Sequence, residues 1–205
     1  MNQGPQRIPS KASSAVAGVH LRAFEKEDLD RIVRWVNDEA ITRFLSDALI
    51  YPVSRADEAR WLESVSMSNH RDKVFAVETE GHDLIGSIGL HAINWVERKA
   101  ELGVMIGEKR YWNRGYGSAA VNAVLRIAFE KMNLNRVFLR VHENNTRAIR
   151  VYEKCGFQRE GLLREDHYFG RRYYDTILMG MLRKEYLSRS SHLNEANSSP
   201  QGNSS

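Results

Sequence analysis

The chain is short of cysteine: Cys155 stands alone among 205 residues. One thiol excludes an intramolecular disulfide and a cysteine zinc cluster, and it fits a reducing compartment. Long apolar runs are missing as well. No stretch reaches the roughly 20 residues a spanning helix requires, and residues 1–18 lack the apolar core of a signal peptide. The expected location is the cytoplasm, with no membrane partner. Charge of one sign is also scarce. The net charge is +4 with a pI near 9.2, and there is no basic run. Nucleic acid is therefore not expected as a direct partner, whereas a mildly basic surface suits an anionic ligand such as a phosphorylated cofactor.

What is present reads as one folded domain over residues 19–187, long enough to bury a core without staples. Residues 1–18, rich in Ser, Ala, Gln and Gly, read as a flexible leader. Residues 188–205, rich in Ser, Asn and Gly, read as a disordered tail. Between them, alternation predicts strands at 19–24, 73–79, 84–90, 100–106, 136–141, 157–163 and 173–182. Helical periodicity is found at 27–37, through Trp61, Leu62 and Val65 after a capping box at Ser54–Asp57, over 119–132, and at 145–154 before Gly156. Gly86 and Gly89 inside a strand mark a bulge or a close approach. This order predicts a mixed α/β (α+β) fold. Its central sheet is mostly antiparallel and flanked by helices, with one strand–helix–strand crossover in the middle.

The crossover holds the first candidate site. A strand at 100–106 runs into the loop Asn113-Arg114-Gly115-Tyr116-Gly117-Ser118 and then into a helix. A helix start offers unpaired N–H groups and the positive end of a dipole, so it receives phosphate. Gly115 and Gly117 leave that approach clear, and Arg114 adds a positive charge. The pattern lacks the third glycine of a dinucleotide fingerprint and the Gly-Lys-Ser/Thr of a Walker loop. Alone, it is equally a glycine turn joining a strand to a core helix.

A second segment narrows the choice. Asn145-Thr146-Arg147-Ala148-Ile149-Arg150-Val151-Tyr152-Glu153-Lys154-Cys155-Gly156-Phe157 resembles the motif B helix of the GNAT superfamily of acetyl-CoA-dependent N-acetyltransferases. The glycine loop resembles the superfamily's motif A, Gln/Arg-x-x-Gly-x-Gly/Ala, with Trp112 at its first position. That tryptophan is similar to the branch of ribosomal-protein alanine N-acetyltransferases and spermidine N-acetyltransferases. So are Arg34-Trp35-Val36-Asn37-Asp38 and the Gly170, Tyr174, Asp175, Met179 segment. The resemblance covers about residues 19–187.

It implies direct attack of a primary amine on acetyl-CoA, with no metal. Pyrophosphate would meet Asn113 to Ser118, including Arg114, Gly115, Tyr116 and Gly117. The pantetheine arm would lie along Val104, Met105, Ile106 and Gly107, with a backbone N–H near Met105 as the oxyanion donor. Asn145 would cap its helix and reach the arm, and Lys154 would meet phosphate, with Arg147 in the same company. Arg150 reads as part of a solvated helix face. Tyr152 would be the acid that protonates the leaving thiolate. Glu101 has two readings, a general base or a charge paired with Lys99 or Arg98. His91 is a rival base, Asp38 and Asp175 read as surface charges, and Cys155 reads as a packing residue.

The acceptor expected from the resemblance is a protein N-terminal α-amine, then spermidine or another polyamine, then an aminoglycoside-type drug. An α-amine, with a pKa near 7.7–8.0, requires little help at neutral pH; a lysine-like amine near 10.4 requires more. Homodimers are common in such families. Two other classes stand beside the enzyme: a non-catalytic acetyl-CoA sensor and a simple phosphate binder.

Overall fold

The computed structural model describes residues 18–45, 51–66 and 70–198. Its strands are β1 (Val19–Arg22), β2 (Lys73–Thr79), β3 (Leu84–Asn94), β4 (Lys99–Ile106), β5 (Arg136–His142), β6 (Gln158–Phe169) and β7 (Arg172–Leu182). They form one sheet in the order β1-β2-β3-β4-β5-β7-β6. Every neighbouring pair is antiparallel except β4 and β5, which run parallel. The crossover explains the exception. Helix α4 (Tyr116–Arg126) returns the chain across one sheet face, so β5 leaves in the direction of β4.

Burial on the two faces follows strand alternation. Ala100 and Leu102 of β4, with Val137 and Leu139 of β5, pack against Ala120, Val121, Val124 and Leu125 of α4. The opposite face of the sheet's first half is covered by α1 (Leu29–Val36), α2 (Glu39–Thr42) and α3 (Arg55–Ser66). Their Ile32, Trp35, Ile41 and Leu62 form a second core with Ala76 and Leu84. Met105 and Trp112 pack on this second side, away from α4.

Helix α5 (Thr146–Cys155) has the ends its sequence predicts. Asn145 Oδ1 accepts from Ala148 N–H at 3.2 Å, and Gly156 closes the helix in the left-handed region at φ 99°. The central helix departs from a single regular run. Past Arg126 it widens into a π turn over Ile127–Lys131, where Met132 N–H bonds to Ile127 O at 2.9 Å.

Two further differences concern the C-terminal half. β6 continues to Phe169, past the expected end at 163. Arg164, Glu165 and Asp166 hide this because an exposed edge strand has no apolar face to alternate. The tail expected to be irregular from residue 188 is helical to Ser198, as part of α6 (Arg183–Ser198). Its first turn is tied down. Arg183 donates to Phe129 O at 2.6 Å, Glu185 Oε2 accepts from Leu182 N–H at 2.8 Å, and Tyr186 Oη bonds to Glu130 Oε1 at 2.5 Å. Residues 1–17 of the leader and 199–205 of the tail lie outside the described residues.

Candidate active site

β4 and β5 are paired only from Lys99–Arg136 to Glu101–Phe138. Beyond that, β4 stays with β3 as far as Ile106, and β5 stays with β7 as far as His142. The two strands part, and a wedge opens at their C-terminal ends. It becomes a cleft of about 430 Å³. Val104, Met105 and Ile106 form one wall. Val141, Asn145, Ala148 and Tyr152 form the other, with Asn113, Gly115, Gly117 and Ser118 at the mouth.

Backbone alternation decides what the β4 wall offers. Residues of an antiparallel strand turn their N–H and C=O alternately to either side. Gly107 N–H donates to Ile85 O at 2.8 Å, so Gly107 and Met105 address β3. Val104 and Ile106 therefore turn their groups to the edge that β5 has left. Met105 reaches the cleft with its side chain only. Trp112 meets the same edge: its indole N–H donates to Ile106 O at 2.6 Å.

The glycine loop is shaped as a receiving surface. Gly115 caps α4 at φ 88°, and Asn113 also has a positive φ of 59°. The first intrahelical bond runs from Ala119 N–H to Gly115 O at 3.0 Å. The N–H groups of Tyr116, Gly117 and Ser118 thus precede the helical ladder. At Gly117 a Cβ would meet only Val151, at 3.8 Å, an ordinary contact. Nothing inside the protein requires glycine there; what it keeps clear is the cleft.

Tyr152 is 6% exposed, lines the cleft, and packs edge-on against Phe157 at 5.8 Å. Its hydroxyl has no hydrogen-bond partner among the described residues. Burial holds its phenol well above the usual tyrosine range. Three residues on, burial also pushes the Cys155 thiol up to about 11. That sulfur lies 3.7 Å from Ser118 O, inside the core and not in the cleft lining.

Several expected residues stand elsewhere. Glu101 is outside the lining, and its carboxylate pairs with Arg140 Nε at 3.5 Å, not with Lys99 or Arg98. Gly107 is used against β3 and Trp35, Arg114 is exposed, and Tyr116 packs edge-on against Tyr111. His91 pairs with Asp72 at 3.5 Å, Asp38 caps α2 and pairs with Lys109, and Asp175 accepts from Glu165 N–H. Conversely, Ile41, Phe44, Leu45 and Arg140 join the lining with no local sequence signal, because α2 and β5 meet there only through the fold. Arg150, read as a solvated residue, lines the cleft too. The described lining holds Arg140, Arg147, Arg150 and Lys154 and no carboxylate.

This geometry has counterparts. Residues 19–158 match the family model described as the acetyltransferase (GNAT) domain. The spermidine N(1)-acetyltransferase of Vibrio cholerae is 32% identical over 170 residues, 83% of this chain and 96% of that one. The putative ribosomal N-acetyltransferase YdaF of Bacillus subtilis is 34% identical over 103 residues, 50% of this chain and 56% of that one. A crystal structure of the Vibrio cholerae spermidine N-acetyltransferase with CoA and spermine superposes with a TM-score of 0.74 at 31% identity. The match covers 82% of this chain and 98% of that one. Among the described residues no helix is long and apolar enough to cross a membrane, and no group of His, Cys, Asp and Glu could hold a metal ion. The family model over residues 19–158 and the 32% identical relative place the chain: it belongs to the GNAT acetyltransferase family and is an N-acetyltransferase.

Proposed function

We propose that the cleft binds acetyl-CoA and passes its acetyl group to a primary amine of the polyamine type. The observation that carries the first half is the open β4 edge set between a glycine loop and a buried tyrosine. Bound there, acetyl-CoA supplies an activated acetyl thioester. The chain's own groups do the rest. The N–H groups at residues 116–118 and the positive end of α4 take the pyrophosphate, with Arg150 and Lys154 beside them. Val104 and Ile106, not Met105, offer N–H groups to the pantetheine arm and the acetyl oxygen; loss of one such donor costs about 10²–10³ in rate. Asn145 spends its carbonyl on the helix cap, leaving its NH₂ for the ligand.

Tyr152 donates the proton that the departing sulfur takes up. Burial keeps the phenol protonated at any physiological pH. A departing thiolate, excluded from water by the same wall, is a better proton acceptor than it would be in bulk solvent. Glu101 reaches the cleft only by way of Arg140. In this reading it orients that arginine, and the amine's proton leaves to water.

For the acceptor, the Vibrio cholerae relative matched over 83% of this chain carries the spermidine name, while the ribosomal match spans half the chain. That ranks a polyamine above the protein N-terminus. One observation favours the second reading: a cleft lined by four cations and no carboxylate offers little to a polycation. Thiol release from acetyl-CoA with spermidine, a ribosomal-protein N-terminal peptide and an aminoglycoside decides between them. Turnover with spermidine alone upholds the first reading, and turnover with the peptide alone replaces it.

Gly117→Ala separates binding from folding. An added methyl meets nothing tight inside the protein, and alanine favours the helix by up to about 1 kcal/mol. The melting temperature should hold or rise while acetyl-CoA affinity falls. A parallel loss of both would mean Gly117 serves packing instead.

A further inference from the structure

Arg147 sits on the first turn of α5 and turns its guanidinium across the cleft onto Trp112, 3.8 Å from the ring centroid. Arg43, just past α2, is held in the same manner, 4.5 Å over the Phe44 ring. Neither guanidinium has an ion pair or hydrogen bond to a described residue. Arg147 is half-buried, and burial, then the nearby charge of Arg43, both press against its protonation. Arg43 is exposed, and a like charge beside the half-buried Arg147 is unfavourable by itself. Stacking on aromatic faces holds both planes still without consuming their N–H donors. Trp112 is in turn fixed by its bond to Ile106 O. The result is a pair of aromatic-backed forks with open donors and, among the described residues, no counter-charge.

We propose that Arg43 and Arg147 form an oxyanion receptor, separate from the glycine loop, that clamps a phosphate or carboxylate group of a bound ligand. The chemistry admits two sources: a phosphate of CoA, or a carboxylate carried by the amine acceptor. Trp112 packs on the sheet face opposite α4, and both Trp112 and Phe44 line the cleft in which the thioester is proposed to sit. The inference deepens the acetyl-transfer reading and rests on it for both sources.

The test uses Arg43→Gln, Arg147→Gln and the double variant, with Arg147→Lys to keep charge but lose the planar stack. Calorimetry measures acetyl-CoA and 3′-dephospho-CoA. Steady-state kinetics compare lysine with 1,5-diaminopentane, the same diamine without the carboxylate. If CoA is the source, affinity for acetyl-CoA falls about 10- to 100-fold, the value of charge-assisted hydrogen bonds, and the difference vanishes with dephospho-CoA if the 3′-phosphate is the one held. If the acceptor is the source, acetyl-CoA binding is unchanged and a wild-type preference for lysine is lost by a similar factor. Should wild type acetylate neither amine, inorganic phosphate reads the site alone. It should move the Trp112 indole N–H resonance in wild type and not in the double variant. Variants that match wild type in every arm overturn the proposal.

Discussion

Replacing Tyr152 with phenylalanine should lower kcat/KM about 10²–10⁴-fold, the range for loss of a positioned proton donor, with acetyl-CoA affinity unchanged. The substitution is clean because the ring keeps its edge-on contact with Phe157 and only a hydroxyl without a described protein partner is removed. Stability should barely change for the same reason. The pH profile adds a second check. An acid works while protonated, so its failure appears as a falling limb above its pKa. Burial raises the Tyr152 pKa above its ordinary value of about 10. The wild-type rate should therefore climb with pH as the acceptor amine loses its proton and then level off, with no decline before about pH 10. A falling limb between about pH 8 and 10, or a phenylalanine variant at full rate, would remove Tyr152 from the role.

Gly86→Ala should be the most damaging single methyl in the sheet. A Cβ at Gly86 would lie 2.0 Å from Met105 O and 2.9 Å from Ile106 Cα. Both are backbone atoms of β4, so no side chain can turn aside and the strand itself must shift. Overpacking of this kind typically costs about 1–3 kcal/mol and occasionally more. With a backbone obstacle the expected loss is about 3 kcal/mol, or roughly 6–12 °C in Tm for a chain of this size. The shift falls on the stretch whose open edge forms the cleft wall, so acetyl-CoA should also bind more weakly to the folded fraction. Gly81→Ala is the control. Its nearest neighbour would be Thr79 Oγ1 at 3.7 Å, and its effect should stay within about 0.5 kcal/mol. Urea unfolding of both variants measures the contrast; equal stability would mean that β3 and β4 are not packed as described.

Gly86 also shows how far the sequence could be read. A glycine inside a strand pattern announces a bulge or a close approach, and only the register with β4 tells which. The same boundary runs through the site. The glycine loop, the Asn145 cap and the left-handed Gly156 are local features, set by turn and helix-end chemistry within a few residues, and they were legible. The direction in which Met105 turns its backbone depends on pairing with β3, and the partner of Glu101 depends on β5. Neither leaves a trace in the residues beside them. Arg43, Arg147 and Trp112 lie far apart in the chain, and their convergence requires the α2, α4 and α5 packing to be known. The helix at Arg183–Ser198 was missed for a related reason: its anchors, Phe129 and Glu130, belong to a distant turn, while its own composition is polar.

The most direct test of the account is amide hydrogen exchange along β4, with and without acetyl-CoA. The account predicts that the Val104 and Ile106 amides, open to the cleft, become protected on binding, together with those of Gly117 and Ser118. The Met105 amide, already committed to β3, should change little. Protection of Met105 in place of its neighbours, or acetyl-CoA binding that leaves Val104, Ile106 and the glycine loop exchanging as before, would contradict it.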